Sequence, residues 1–374
     1  MKLSILLQGR NDNYCGNFIQ RLQLALNQHI SNILISNTLN DVEIVISDWG
    51  SNNLLSNLLN YPIEIAENIR FIYTPPEITK KYEKDSPYSM PHAVNVGLRR
   101  CKGEYILFSD SDGFLPYDTY IFLMQLIDNK YDKVLFCERR DIPIDFYENN
   151  SLDELNNLLY SIEIKHSPLF NPDGKTFRGT AIGYFAKKEI FFQLRGFDEH
   201  MIYWGYFDIE FYKRVKRFFT PDFLLNYNKK MYHLEHYKLK DDRLTNNNRK
   251  FNPQIDSERK TNNNEFWGLA NEQVYESCVI KKGDYEIPFA SPYIEYQKAL
   301  SLFNDNKYDE AILILRNLVS LHPLYFDALI LIAKILIHDK DYNAAEKLLI
   351  FITKYDKSNP EVNFLLEAIK KIEN

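Results

Sequence analysis

Four short apolar segments, 3-LSILLQ-8, 42-VEIVIS-47, 69-IRFIYT-74 and 104-EYILFS-109, recur early in the chain with helix-like stretches between them. Each is rich in β-favouring residues and stops at polar or turn residues. In 18-FIQRLQLALNQHISNIL-34, Ile19, Leu22, Leu26 and Ile30 follow the i, i+3/i+4 rhythm of a helix with one apolar face. Strands alternating with helices commit a chain to an α/β layer around a largely parallel sheet, and such sheets bind ligands off the carboxyl ends of their strands. Those ends read Gln8-Gly9-Arg10-Asn11-Asp12, Asp48-Trp49-Gly50-Ser51 and Asp110-Ser111-Asp112-Gly113, so three polar clusters are expected on one rim.

The alternation does not run to the end. From about 240 to 265 the chain is polar and Asn-rich (246-NNN-248, 262-NNN-264), which reads as an extended, surface-hugging segment closed by 266-FWGL-269. After 291 a period of 34 residues takes over, pairing Ala299 with Ala333, Leu302 with Leu336, Tyr308 with Tyr342, Ala311 with Ala345 and Leu315 with Leu349. Small residues recurring where helices would cross mark a tetratricopeptide-type helix–turn–helix repeat. Pro323 ends the first unit, the exit of the second before Pro360 is less regular, and 361–374 is expected as a capping helix. Glycine follows the same division: 12 of the 13 lie at or before Gly268 and none follows Gly283, as suits helix pairs that need no open backbone near a ligand. The expected domains are 1–270, a linker at 271–290 and an all-α tail at 291–374.

Composition narrows the partners. A net charge of −6 lacks the basic excess of a nucleic-acid binder, so no nucleic acid is expected. Cys15, Cys101, Cys137 and Cys278 are far apart and form no CxxC pair, which is neither a disulfide framework nor a zinc site and suits the reducing cytoplasm. The apolar stretch Leu3 to Leu7 is broken by Ser4, and 329-LILIAKILI-337 by Lys334. Both fall short of the ~20 residues of a membrane span, so a cytoplasmic protein is expected, at most peripheral at the inner face of the membrane.

The triplet Asp110-Ser111-Asp112 sits between a buried-looking strand and a glycine. Two carboxylates on alternate residues can offer oxygen ligands to a hard divalent cation and, through it, to a diphosphate; alone, the triplet also suits a solvated turn. Its setting, 95-NVGLRRCKGEYILFSDSD-112, resembles the "N-x-G-x-x-x-A-x-G-E-Y-I-x-F-x-D-x-D" signature of family 2 glycosyltransferases. 44-IVISDWGS-51 is similar to their "V-V-D-D-G-S" strand end, and 179-GTAIGYFAKKEIFFQLRGFDE-199 to their "G-x-x-x-A-x-R-R-E-V-F-x-x-x-G-G-F-D-E". The resemblance spans about residues 1–270 in order and implies a GT-A fold, a Rossmann-like mixed sheet flanked by helices.

The resemblance also implies roles. Asp48 matches the acid that contacts uracil or ribose, with a turn or N-cap Asp as the alternative, while Trp49 stands where a second acid is usual. Gln8, Gly9 and Arg10 border the nucleotide, Arg10 as charge partner of a phosphate or of Asp48. Asn95, Asp110 and Ser111 belong to the nucleotide-sugar site, and Arg99 is placed to offset diphosphate charge or else lies on the surface. Asp112 corresponds to the direct metal ligand. In 204-WGYFDIEF-211, similar to "W-G-x-E-D-x-D-L", Trp204, Gly205 and Glu210 fall on the acceptor side and Asp208 on the general base, with Phe207 replacing the usual Glu. The plain alternative is that Asp208 caps the following helix. The run from Lys213 to Arg217 reads as a charged solvent face. In 232-YHLEHYK-238 one histidine corresponds to a further metal ligand, and the motif does not distinguish His233 from His236. An imidazole beside a carboxylate suits Mn²⁺ better than Mg²⁺.

The resemblance therefore implies a metal-dependent, inverting glycosyltransferase moving a sugar from a nucleotide sugar, expected to be UDP-linked, to a hydroxyl on a glycan or glycoprotein. The alternative is a catalytically degenerate GT-A domain acting as an interaction module, for which Trp49 and Phe207 speak. The helical tail is expected to dock a polypeptide acceptor, a protein partner or a second copy of the chain, or to pack on the catalytic domain.

Overall fold

The computed structural model describes residues 1–12, 14–148, 165–172, 174–203, 205–237, 248, 259–276, 279–282, 285–288, 292–321, 326–353 and 359–373. Trp204, Cys278, Pro323 and most of the Asn-rich stretch lie outside the described residues. The chain divides into two compact units, Met1–Pro288 and Phe289–Asn374.

The first unit is built on one mixed sheet. Strands β1 (Leu3–Gly9), β2 (Val42–Trp49), β3 (Ile69–Thr74) and β4 (Tyr105–Ser109) are joined by β5 (Gly113–Phe114), β6 (Val134–Ile142), β7 (Lys165–Ser167), β8 (Ala181–Lys187), β9 (Pro221–Phe223), β10 (Met231–Leu234) and β11 (Tyr275–Glu276). The order is β11-β3-β2-β1-β4-β8-β6-β10-β5, with β7 and β9 also paired to β6. β3, β2, β1 and β4 run parallel, and β8 turns antiparallel between β4 and β6.

β1 and β2 lie between neighbours on both edges and are buried along their whole lengths, which is why they read as near-continuous apolar runs. The pleat still sorts their side chains. Leu3, Ile5, Leu7, Ile44 and Ile46 pack against helices Phe18–Ile35 and Tyr117–Asp128, while Leu6, Val45, Ile106 and Phe108 face helices Met90–Arg100, Lys188–Leu194 and Phe207–Phe218. The expected mixed sheet flanked by helices is the fold observed.

Residues 271–290, expected as a linker, carry β11, which adds antiparallel to β3 with Tyr275 buried against Tyr73, and the hairpin β12 (Val279–Lys282) and β13 (Tyr285–Pro288). Two asparagines of the polar stretch, Asn248 and Asn263, act as staples. Asn248 donates to the carbonyls of Met201, Tyr203 and Gly205, and Asn263 to those of Arg195 and Phe197. Amide side chains can replace apolar burial in this way because each satisfies backbone groups that would otherwise be lost from water.

The second unit holds helices Pro292–Asn304, Tyr308–Leu321, Phe326–His338, Tyr342–Thr353 and Pro360–Glu373. The repeat pairs do what their spacing implies: Ala299, Ala311, Ala333 and Ala345 are fully buried, with Leu315 and Leu349 beside them. Among the described residues no helix is long and apolar enough to cross a membrane.

Candidate active site

The carboxyl end of β4 turns sharply. Gly113 N–H donates to the Asp110 carbonyl at 2.9 Å, and Ser109 Oγ donates to the carbonyls of Asp110 and Gly113. This turn aims Asp112 at β10, whose Leu234 N–H is held by the Asp112 carbonyl at 2.9 Å. β10 lies between β5 and β6, so His233 is registered beside both Gly113 and Asp141. Three residues far apart in sequence thereby meet.

Ligand atoms of Asp112, His233 and His236 all lie within 4.8 Å of one another. His233 Nδ1 donates to Asp141 Oδ1 at 2.9 Å, which leaves Nε2 pointing at Asp112 Oδ1, 3.5 Å away. Asp141 is itself held by a hydrogen bond from Ser167 Oγ at 2.8 Å and forms an ion pair with Arg139, whose Nε lies 3.1 Å away. A carboxylate orienting the far nitrogen of an imidazole is the usual support of a metal-bound histidine. One carboxylate oxygen and two imidazole nitrogens make a donor set for a divalent cation that accepts nitrogen ligands. Burial alone would raise the Asp112 carboxyl, but His233, Arg21 and His236 outweigh it and hold it below the ordinary range. Burial lowers His236 below the ordinary imidazole value. Both candidate histidines thus join the group.

Asp110 stands outside it. Burial, helped by the Asp112 charge, pushes its carboxyl well above the ordinary value. Asp208 also acts on it electrostatically and is itself a buried acid, pushed up to about 7 by burial. Asp208 lies in the first turn of Phe207–Phe218, and its Oδ1 accepts the Ile209 N–H at 2.8 Å. The residue in the cap position is Tyr206, with φ +66°, whose own side chain makes no capping bond, so the first-turn bond is the one from Ile209 to Asp208. Gly179, with φ +70°, opens the space in front of Asp208, since a Cβ there would come within 2.5 Å of Oδ2. Glu210 is not brought to this group. It is fully buried in a two-point ion pair with Arg214, which also donates to the carbonyls of Leu194 and Gly196, and Asn262 donates to it at 3.0 Å. Gly205 has open space around its Cα and offers its carbonyl to Asn248.

The other strand ends form a second polar group. Asp48 is buried, accepts the N–H groups of Ser51 (3.2 Å) and Leu55 (2.9 Å), and burial pushes it up to about 6 against those bonds. The Arg10 guanidinium donates to Glu83 (2.9 Å), Asp12 (3.1 Å) and the Pro87 carbonyl, and lies over the Tyr88 ring. Trp49, where an acid was the usual residue, is buried and donates its indole N–H to the same Glu83 oxygen at 2.7 Å. Gln8 accepts the Tyr88 hydroxyl through its side chain and the Ser111 hydroxyl through its carbonyl. Gly9 leaves room for the Phe18 ring, which a Cβ would meet at 2.3 Å.

Two expected nucleotide residues are turned to other partners. Asn95 bonds the backbone of Phe197 and the Glu199 carboxylate, and Arg99 donates to the carbonyls of Glu265 and Trp267 while lying over the Trp267 ring. Conversely, sequence reasoning passed over Arg21, Glu83 and Asp141. Arg21 left one trace, as the only lysine or arginine between Phe18 and Ile35, three residues after Phe18 and four before Ala25 on the buried face.

Known structures with a similar course of chain include S. aureus TarS 1–349 in complex with UDP, at 15% identity and a TM-score of 0.40, covering 63% of this chain and 61% of that one. GalNAc-T7 with UDP, GalNAc and Mn²⁺ matches at 15% identity and a TM-score of 0.40, covering 64% and 44%. The catalytic domain of Drosophila β1,4-galactosyltransferase 7, in complex with xylobiose, matches at 12% identity and a TM-score of 0.37, covering 75% and 86%. This chain therefore spans about three fifths of the TarS 1–349 chain. No curated protein sequence matches. A tetratricopeptide repeat model matches residues 302–369. The model described as "Glycosyltransferase like family 2" matches residues 40–245, more than half of the chain, with Asp48, Asp112, Asp208 and both candidate histidines inside it, and the chain belongs to that family.

Proposed function

We propose that the protein is an inverting glycosyltransferase that moves a sugar from a UDP-sugar to a hydroxyl of a glycan or glycoprotein. The observation that carries this reading is the closed ligand group of Asp112, His233 and His236 at the strand ends, with the buried acid Asp208 coupled to Asp110 beside it. Asp112, His233 and His236 would hold a divalent cation, Mn²⁺ tolerating the two nitrogens better than Mg²⁺, and it would neutralise charge gathering on the leaving diphosphate.

The remaining work falls to side chains. A sugar hydroxyl is a poor nucleophile, so Asp208 takes its proton as the acceptor oxygen bonds to C1 and the C1–phosphate bond breaks on the opposite face. The diphosphate leaves with the electron pair, and a single displacement inverts C1. Asp48, Gln8 and Arg10 line the nucleotide side, where Glu83 supplies the carboxylate that Trp49 lacks. The helical tail is read as the dock for a protein acceptor, a protein partner or a second copy of the chain.

The test is UDP release from a panel of UDP-sugars with Mn²⁺. Release from at least one donor, abolished by EDTA and by Asp112→Ala, is expected. No release from any donor would favour an interaction module instead, and equal UDP affinity by calorimetry with and without Mn²⁺ would remove the metal from the scheme.

A further inference from the structure

One buried charge in contact with the ligand group has no part in the chemistry above. Arg21 is completely enclosed, and its Nε donates to Asp112 Oδ2 at 3.2 Å, opposite the oxygen that faces His233. Its other nitrogens donate to the carbonyls of Tyr14 (3.0 Å) and Gly16, in the loop after β1. That loop stands over the ligands: the Tyr14 ring lies 5.7 Å from His236 edge to face, and a Cβ on Gly16 would meet the Tyr237 ring at 2.9 Å.

We propose that Arg21 is the resident counter-charge of Asp112 and makes divalent-cation binding conditional on the nucleoside diphosphate. This rests on the metal reading of the same site. Asp112 is the only carboxylate of the ligand group, and the guanidinium already matches its charge; the nearby carboxylate Asp141 is likewise matched by Arg139. Two imidazoles add donors but no negative charge. A dication entering this buried place alone meets a ligand carboxylate that is already paired and a like charge beside it, an arrangement that is costly out of water. A diphosphate brings the missing negative charge, so each ligand tightens the other by the same factor. Arg21 is thus a positioning residue: it presents one oxygen of Asp112 to the histidines, pins the overlying loop, and sets the order in which the site fills.

Free Mn²⁺ is followed by electron paramagnetic resonance as the full chain is titrated with and without saturating UDP. Wild type is expected to bind Mn²⁺ at least about tenfold tighter with UDP. Arg21→Gln, which keeps a donor but loses the charge, is expected to bind Mn²⁺ without UDP at least about tenfold tighter than wild type, shrinking the effect of UDP. Arg21→Lys keeps the charge and should keep the UDP dependence. A merely structural role predicts the opposite sign, because a loosened Asp112 would weaken Mn²⁺ binding in both conditions. Unchanged or weaker Mn²⁺ affinity of Arg21→Gln without UDP overturns the proposal. Arg21→Met, uncharged and of similar length, is judged by the same criterion if the Gln variant fails to fold. Wild type that binds no Mn²⁺ in either condition overturns the metal reading and this inference together, a result distinct from a wild type that binds and a variant that does not respond.

Discussion

Asp208 and Asp112 are the same amino acid in one site with opposite acidities. Asp112 has two histidines and an arginine around it and stays an anion; Asp208 has mainly its own helix N-terminus to oppose burial, and rises to about 7. The proton is therefore held more tightly in the folded state than in the unfolded chain. Folding is favoured by this group at acid pH, and that contribution is lost as pH rises through 7. Activity runs the other way, because the base works only when ionised. With Asp208 as base, kcat/KM is expected to fall about tenfold per pH unit below about 7. Asp208→Asn should lower kcat by ~10² or more while leaving UDP affinity in place. Unchanged turnover in that variant, measured by UDP release, would take Asp208 out of the role.

At the scale of elements, helix Phe207–Phe218 shows how a motif divides its labour. Asp208 and Glu210 are two residues apart and so diverge on a helix; one lies behind Gly179 and the other is buried against Arg214. The Glu210–Arg214 pair, with the arginine bonded to the carbonyls of Leu194 and Gly196, fastens this helix to the end of Lys188–Leu194. The basic run Lys213 to Arg217 is correspondingly split, with Arg214 buried and Lys213, Lys216 and Arg217 exposed. Removing one member of a buried pair strands the other. Arg214→Met is expected to cost about 3–5 kcal/mol in urea unfolding, and a loss under ~1 kcal/mol would show that the pair is dispensable.

At the scale of the whole molecule, each unit has its own core, and the small residues of the tail are spent on helix crossings within it. A chain ending at Pro288 is expected to keep a cooperative thermal transition and wild-type UDP affinity, with any loss of transfer confined to protein acceptors. A collapse of UDP binding in calorimetry of that truncation would mean that the tail supports the nucleotide site.

Some of this could be read from the amino acids alone. Alternating strands and helices imply a sheet whose carboxyl ends carry the chemistry, and the 34-residue period implies helix pairs, because both patterns are local and repeat what one element needs to bury a face. Asp112 and one of His233 and His236 could be singled out on a different ground, because each stands in a short stretch that resembles a family motif. What only the tertiary structure decided are the partnerships: Asp141 behind His233, Arg21 on Asp112, Glu83 shared by Arg10 and Trp49, Glu210 withdrawn to Arg214, and Asn95 and Arg99 engaged elsewhere. Apart from Glu210–Arg214, these contacts join residues from separate elements, set by the register of β10 between β5 and β6 and by which helix covers which face. Neither is encoded in spacing along the chain, and Glu210 could have faced either side of its helix until the packing of Phe207–Phe218 chose one.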